Sequence, residues 1–508
     1  MEQFLRQLQT IPEAAELIRR VEEGGCPAAV SGLQPVQRAC VGAAVAAACG
    51  RPAVFLCGDE REVQVLSADL ETLTGKCPVT LLGREWQFRP GAVGSRDWER
   101  SRLAALYALA QGDAPVVVAT ADGLMARTLP PETLRSLAIT LEVGGQAELG
   151  ALAEQLLSAG YTRCEQVEGV GQFALRGGIL DVFSPLMDQP VRCEFFDDEI
   201  DSMGAFDPGT QRRTRNVSSA RILPAAEVLP HCAPGGLPGL SDQLIALAEK
   251  LAKKQKTEAI VQTLREDAER LRSGAAPGAA DRYLAAIYPT VTAGVHYLPP
   301  DAVVFLSESG RVDERVKNTV LQQKQDVEAL LSAGVLAGEY AHLTLTAEEL
   351  YAALEDFPVI LEDSLPTSRH PLRPRGLLTM NAKQLSSYGG SLETAVTDLE
   401  HYRFLRQRGA GALRWGDPGE ESPPAAGGEG HPGHPGSKRR RHACGGGGAP
   451  LPGGPVRRQR VAGAEAGGAD RGPADGPGHA QAPAGEEGLQ PAEAPVLHRP
   501  VPRRPGGP

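Results

Sequence analysis

The chain is 508 residues long, 42% hydrophobic, with a formal net charge of −11 from 52 Lys and Arg against 63 Asp and Glu. That length is too great for one core and calls for about three or four domains, while the acidic balance excludes a surface that coats nucleic acid along its whole extent. No run of about 18 apolar residues occurs and Met1-Glu2-Gln3-Phe4-Leu5-Arg6 lacks the features of a signal peptide, so the expectation is a cytoplasmic protein without membrane contact.

Residues 2–22 place Phe4, Leu5, Leu8, Ile11, Leu17, Ile18 and Val21 at helical spacing and predict one lead-in helix that ends at Gly24-Gly25. Short apolar runs then alternate with helical patterns. Strands are predicted at 27–30, 53–57, 78–82 and 115–119, and helices at 35–48, 60–73 and 97–110. This βαβα rhythm implies a parallel sheet with helices on both faces. In such a fold a nucleotide phosphate would bind at the first β-to-α loop, where backbone N–H groups converge on a helix N-terminus. Here that loop is Val30-Ser31-Gly32-Leu33-Gln34-Pro35-Val36-Gln37-Arg38. It has no Gly-Lys-Ser/Thr, so Ser31, Gly32 and Gln37 mark a degenerate nucleotide loop that is not expected to bind one.

From residue 130 to 215 the rhythm changes to a helix, Glu148 to Ala159, a strand from Tyr161 to Val167, and a meander. Phe173/Leu175, Val191/Cys193/Phe195 and Ile200 onward alternate with polar residues, and Gly177-Gly178, Ser184-Pro185 and Asp197-Asp198 supply turns, which predicts antiparallel strands with one wet face. On that face Arg176 precedes the Gly-Gly step. Its residue type allows two readings: a guanidinium presented to a partner, or a surface arginine paired with Asp181 or Glu194.

A long amphipathic helix is predicted from Ser241 to Leu271, its Lys253-Lys254-Gln255-Lys256 cluster being either a solvated face or a nucleic-acid contact. Residues 302–405 return to α/β alternation. Strands are predicted at 302–306, 342–345 and 359–361, with helices at 313–333, 347–354 and 390–405. The strand at 302 ends in Ser307-Glu308, without the aspartate that would hold magnesium in a P-loop ATPase. Nine cysteines form no C-x-x-C pair, which predicts reduced, mostly buried thiols and no metal site.

Composition changes near Gly409: 42 of the last 100 residues are Gly or Pro, and none is Ile, Phe, Met, Tyr, Asn or Thr, so this segment is expected to be disordered. It reads as a Gly/Pro/Arg-rich tail with Lys438-Arg439-Arg440-Arg441 as a nucleic-acid patch, or as a GC-rich gene translated out of frame. The absence of any repeat favours the second.

Several strings carry a family resemblance. They are Gly171-Gln-Phe-Ala-Leu-Arg-Gly-Gly-Ile-Leu-Asp-Val-Phe-Ser-Pro185, Glu194-Phe-Phe-Asp-Asp-Glu-Ile-Asp-Ser202, Phe206-Asp-Pro-Gly-Thr-Gln211 and Val117-Val-Ala-Thr120. Arg100-Ser-Arg-Leu-Ala-Ala-Leu-Tyr107 and residues 381–389 support them. Over residues 1–405 the chain resembles the N-terminal, UvrB-like module of the bacterial transcription-repair coupling factor (Mfd). The resemblance implies a discontinuous α/β domain with a degenerate P-loop (RecA-like) parallel sheet, at 1–125 and 216–405. It also implies an inserted α+β UvrB-interaction domain at 126–215, followed by the tail at 406–508. UvrA is the implied partner, bound through Arg176, with Arg163 and Phe183 as secondary carry-overs. The family's ATP- and magnesium-dependent translocase motor, with its contacts to RNA polymerase and double-stranded DNA, would lie beyond the matched region. The chain is therefore expected to be a monomeric, non-catalytic recruiter without cofactor or metal. The alternative is a divergent UvrB-like nucleotide-dependent helicase or excision nuclease subunit, against which the altered loop at Ser31 stands.

Overall fold

A computed structural model describes residues 1–90 and 97–380, together with residues 393, 396–398 and 400. The tail from residue 406, its Lys438–Arg441 run, and most of the helix expected at 390–405 lie outside the described residues.

The chain begins with α1 (Glu2–Leu8) and α2 (Pro12–Glu22), two helices where one was expected. Pro12 has no N–H to continue a helix and takes the first position of α2, which leaves Ile11 extended at φ −68°, ψ 131°. Next come β1 (Ala28–Ser31), α3 (Pro35–Cys49), β2 (Ala53–Cys57), α4 (Glu60–Thr74), β3 (Val79–Leu81), α5 (Asp97–Gln111), β4 (Val116–Thr120), α6 (Ala121–Met125) and α7 (Pro131–Leu137).

An insert then runs through β5 (Ile139–Glu142), α8 (Leu149–Ser158), β6 (Thr162–Arg163), β7 (Gln172–Arg176), β8 (Ile179–Val182), β9 (Val191–Phe196), β10 (Glu199–Phe206), β11 (Arg213–Asn216) and β12 (Ser219–Ile222). The α/β layer resumes with α9 (Gly236–Leu251), α10 (Glu258–Arg272), α11 (Leu284–Ile287), β13 (Val303–Ser307), α12 (Ser309–Ser332), α13 (Ala347–Leu354), β14 (Val359–Asp363) and β15 (Gly376–Thr379).

Seven strands form one sheet in the order β15-β1-β14-β13-β2-β4-β3, with every pairing parallel. β2, β4, β13 and β14 are buried at all their positions, as a sheet covered on both faces demands. On one face Phe55 stacks on Phe305 at 4.8 Å, and α3 comes so close that a Cβ on Gly42 would lie 2.5 Å from the Phe55 ring.

The layer departs from the expected layout at three further places. The helix predicted from 241 to 271 is an antiparallel hairpin of α9 and α10. The polar run from Lys253 interrupts the apolar stripe, Lys256 turns at φ 60°, and Thr257 Oγ1 donates to Leu251 O at 2.7 Å. Residues 342–345 do not join the sheet: Leu343 and Leu345 are buried, but Thr344 makes only an isolated bridge to Ala126. β15, which was not predicted, completes the sheet beside β1.

The insert's borders also move. β5 and β12 pair antiparallel, Ile139 opposite Ile222 and Glu142 opposite Ser219, so the chain enters and leaves side by side. Residues 126–138, expected inside the insert, belong to the α/β layer: Arg127 N donates to Leu343 O and Thr128 N to Thr292 O, each at 3.0 Å.

A buried charge cluster seats the insert's exit. Glu227 is fully buried and accepts from Thr128 Oγ1 at 2.6 Å and Arg102 Nε at 3.2 Å. Arg84 lies 3.6 Å away, pairs with Asp281 at 2.5 Å and stacks over Trp86. Burial opposes the charge on Glu227, but Arg102 and Arg84 outweigh it and hold the carboxyl below its usual range.

Candidate functional site

The insert's second sheet runs in the order β11-β10-β9-β8-β7-β6. One face packs on α8 through Phe173, Leu180, Val182, Val191, Cys193, Ile200 and Met203. The strand period of two sends the alternating residues to the other face: Ala174 and Arg176 of β7, Asp181 of β8, and Arg192 and Glu194 of β9. The wet face that the alternation predicts is only partly wet: Ala174 and Phe206 are covered by a small apolar core and Asp181 is buried, while Arg176, Arg192 and Glu194 keep contact with water.

Arg176 stands on it with half of its side chain in water, and its NH2 donates to Asp181 Oδ2 at 2.7 Å. Asp181 is fully buried and also receives a two-pronged pair from Arg192, Nε to Oδ1 at 2.7 Å and NH2 to Oδ2 at 2.8 Å. The Arg192 guanidinium in turn lies 4.7 Å over the Phe206 ring. One buried carboxylate thus holds two guanidinium groups, and Arg176 keeps outward N–H groups for a further acceptor. The ion pair with Asp181 and the exposed presentation coexist. The Gly177-Gly178 step serves the meander itself, because a Cβ on Gly178 would meet Phe195 O of the neighbouring strand at 2.9 Å. Sequence reasoning missed Arg192, whose only signal was its position two residues before Glu194 on the same strand face.

The two secondary candidates separate. Arg163 in β6 is exposed at the sheet edge. Phe183 is 7% exposed and packs with Val167, Ala174 and Phe206 in a small core of its own, so it supports the sheet from within and offers no ring to a partner.

The loop after β1 is closed by the chain's own backbone. Met380 N donates to Ser31 O at 2.9 Å, and Ser31 Oγ lies 3.3 Å from Thr379 Oγ1. Gly32 adopts φ +92°, and a Cβ there would lie 2.1 Å from Met380 O. Gln37 Oε1 caps the helix start by accepting from Gln34 N at 2.9 Å. Arg38, the nearest cation, is buried and spent on Glu62 at 3.1 Å and on Glu308. A cavity of about 310 Å³ beside it faces three arginines, 38, 61 and 311, with three carboxylates, Asp59, Glu62 and Asp69, which leaves no excess positive charge for a triphosphate. These residues do not fit a nucleotide with magnesium.

Among the described residues, no group of three or more His, Cys, Asp or Glu side chains could hold a metal, and no helix is long and apolar enough to cross a membrane. Cys26, Cys40, Cys49, Cys57, Cys164, Cys193 and Cys232 are free thiols.

Residues 139–227 match the family model of the UvrB interaction domain, the segment that the β5–β12 pair encloses. Curated relatives carry the likeness further. The transcription-repair-coupling factor of Bacillus subtilis (strain 168) is 26% identical over 391 residues, covering 76% of this chain and 33% of the relative. That of Myxococcus xanthus is 29% identical over 398 residues, covering 74% of this chain and 32% of the relative. That of Staphylococcus aureus (strain USA300) is 25% identical over 311 residues, or 59% of this chain and 26% of the relative. The chain spans about a third of the length of the first two of these relatives.

Proposed function

We propose that this chain, which carries a UvrB interaction domain and resembles transcription-repair-coupling factors over about three-quarters of its length, recruits UvrA to lesions that block transcription, as the N-terminal part of such a factor. Arg176 carries the reading. It is a half-exposed guanidinium on a rigid strand, pinned by the buried Asp181 inside the matched domain. A cation held in this way has lost part of its side-chain entropy before a partner arrives, so a carboxylate on UvrA gains a charge-assisted, geometrically defined pair.

In this reading the chain is non-catalytic, uses neither ATP nor magnesium itself, and acts as a cytoplasmic monomer. Translocation on duplex DNA and contact with RNA polymerase are assigned to the parts of the relatives outside the matched third.

The test is Arg176→Ala in a UvrA pull-down with a parallel melting curve. Arg192 still binds both oxygens of the buried Asp181 when the half-exposed Arg176 is removed, so the loss of stability stays near ~1 kcal/mol, whereas an interface arginine of this kind contributes about 2 kcal/mol or more to binding. UvrA capture is therefore expected to fall sharply while the melting temperature moves by less than about 4 °C. Undiminished capture by the variant would overturn the assignment.

A further inference from the structure

Two more groups stand on the Arg176 face with their side chains still open to water. The first is Phe196, the last residue of β9. It lies on the same strand face as Arg192 and Glu194 and is 77% exposed, the most exposed large hydrophobic side chain among the described residues. Its neighbour Phe195 points to the α8 side and packs there. Single exposed apolar residues are ordinary, but an uncovered aromatic ring on the same sheet face as fixed guanidinium groups has the composition of an interface.

The second is Arg213 of β11. In the ladder Arg192 is opposite Gly204, Glu194 opposite Ser202, and Phe206 opposite Arg213, with a register shift between Ala205 and Phe206. Arg213 crosses β10 through the gap that a side chain at 204 would fill: a Cβ on Gly204 would lie 2.0 Å from Arg213 Nε. The guanidinium donates to Ser202 Oγ at 3.3 Å and to Met203 O, and it comes within 3.9 Å of Glu194. Its side chain remains 36% exposed. Arg176 reaches over to Asp181 of β8 and Arg213 over to β10, so two strand spacings set the cations about 10 Å apart.

Resting on the UvrA reading above, we propose that the docking face is a three-point surface: Phe196 is its apolar anchor, and Arg213, laid across Gly204, is a second cation beside Arg176. Charge complementarity defines the occupant, a UvrA surface with carboxylates at two places and an apolar recess to one side of both. Beyond the ring the turn Asp197-Asp198 is acidic. The face therefore carries cations on one side of Phe196 and carboxylates on the other, an asymmetry that sets the partner's orientation.

The experiment is a UvrA binding titration with the full chain and its variants Phe196→Ser, Arg213→Ala, Gly204→Ala and Gly204→Ala/Arg213→Ala. Arg176→Ala and Leu321→Ser, an exposed residue of α12, serve as controls. Phe196→Ser is expected to weaken binding about tenfold or more. Gly204→Ala displaces only a flexible side chain, so it should weaken binding as much as Arg213→Ala, about fivefold. The double variant should be no weaker than either single one, and Leu321→Ser should bind as wild type, all with unchanged melting curves. Wild-type affinity of Phe196→Ser or Arg213→Ala, with Arg176→Ala impaired, would overturn the three-point surface and leave UvrA recruitment standing. Absence of UvrA binding by the wild-type chain would overturn both.

Discussion

Glu362, the last residue but one of β14, has its carboxyl fully buried and neither oxygen hydrogen-bonded. Burial pushes its pKa well above the usual carboxylate range. Arg38 opposes the shift, and Asp363, Glu62 and Glu308 reinforce it. The folded chain therefore keeps a proton that the unfolded chain releases near pH 4.5. Stability from this site is fully present below that pH and declines as pH rises through the raised value. Glu362→Gln replaces the carboxyl with a permanently neutral group. Its melting temperature is expected to exceed that of wild type at pH 8, with the gap closing toward pH 4.5; parallel melting profiles across that range would refute the assignment. Arg176 shows the same dependence on surroundings. Its residue type left a partner contact and a local ion pair open, and only the depth of Asp181 makes both true at once.

At the scale of elements, α5 is the bracket between the insert and the α/β layer. Arg100 Nε donates to Pro185 O in the loop after β8 at 2.6 Å. Arg102, two residues on, grips Glu227 at the insert's exit, and its NH1 donates to Leu82 O at 2.6 Å and to Gly123 O at 3.1 Å. Arg102→Ala would leave a buried carboxylate short of a partner, so a loss of about 3–5 kcal/mol is expected in urea unfolding. The Glu227 carboxyl is held below its usual range, so this contribution is present above pH 4.5 and fades as pH falls through the lowered value. A loss under about 1 kcal/mol would show the cluster to be dispensable.

Six of the seven strands of the parallel sheet were legible within a residue or two, because sheet burial writes continuous apolar runs. The split of α9 from α10 was harder to read: apolar residues on both sides of Lys253 fit one helix or two facing ones equally well. β15 was missed because its alternation, Leu378 inward and Leu377 71% exposed, spans only four residues.

For the whole molecule, the closed loop at Ser31 bears on the alternative of a nucleotide-driven helicase. The purified chain is expected to show no ATP turnover above background and no rise in melting temperature with millimolar ATP and magnesium. A saturable rise would report binding to the folded state and sink this reading.

The amino-acid sequence by itself determined the alternating α/β layer, the meander with one wet face, the loss of a phosphate-binding lysine and the abrupt change of composition near Gly409. Those properties lie in residues a few positions apart, where periodicity and motif spacing operate. Tertiary structure decided the rest. It brought the backbone around Leu378 against Ser31, 347 residues earlier in the chain. It buried Phe183, set Asp181 between Arg176 and Arg192, and laid Arg213 across Gly204. Strand order and register select such partners, and neither is encoded in the local pattern of any single strand.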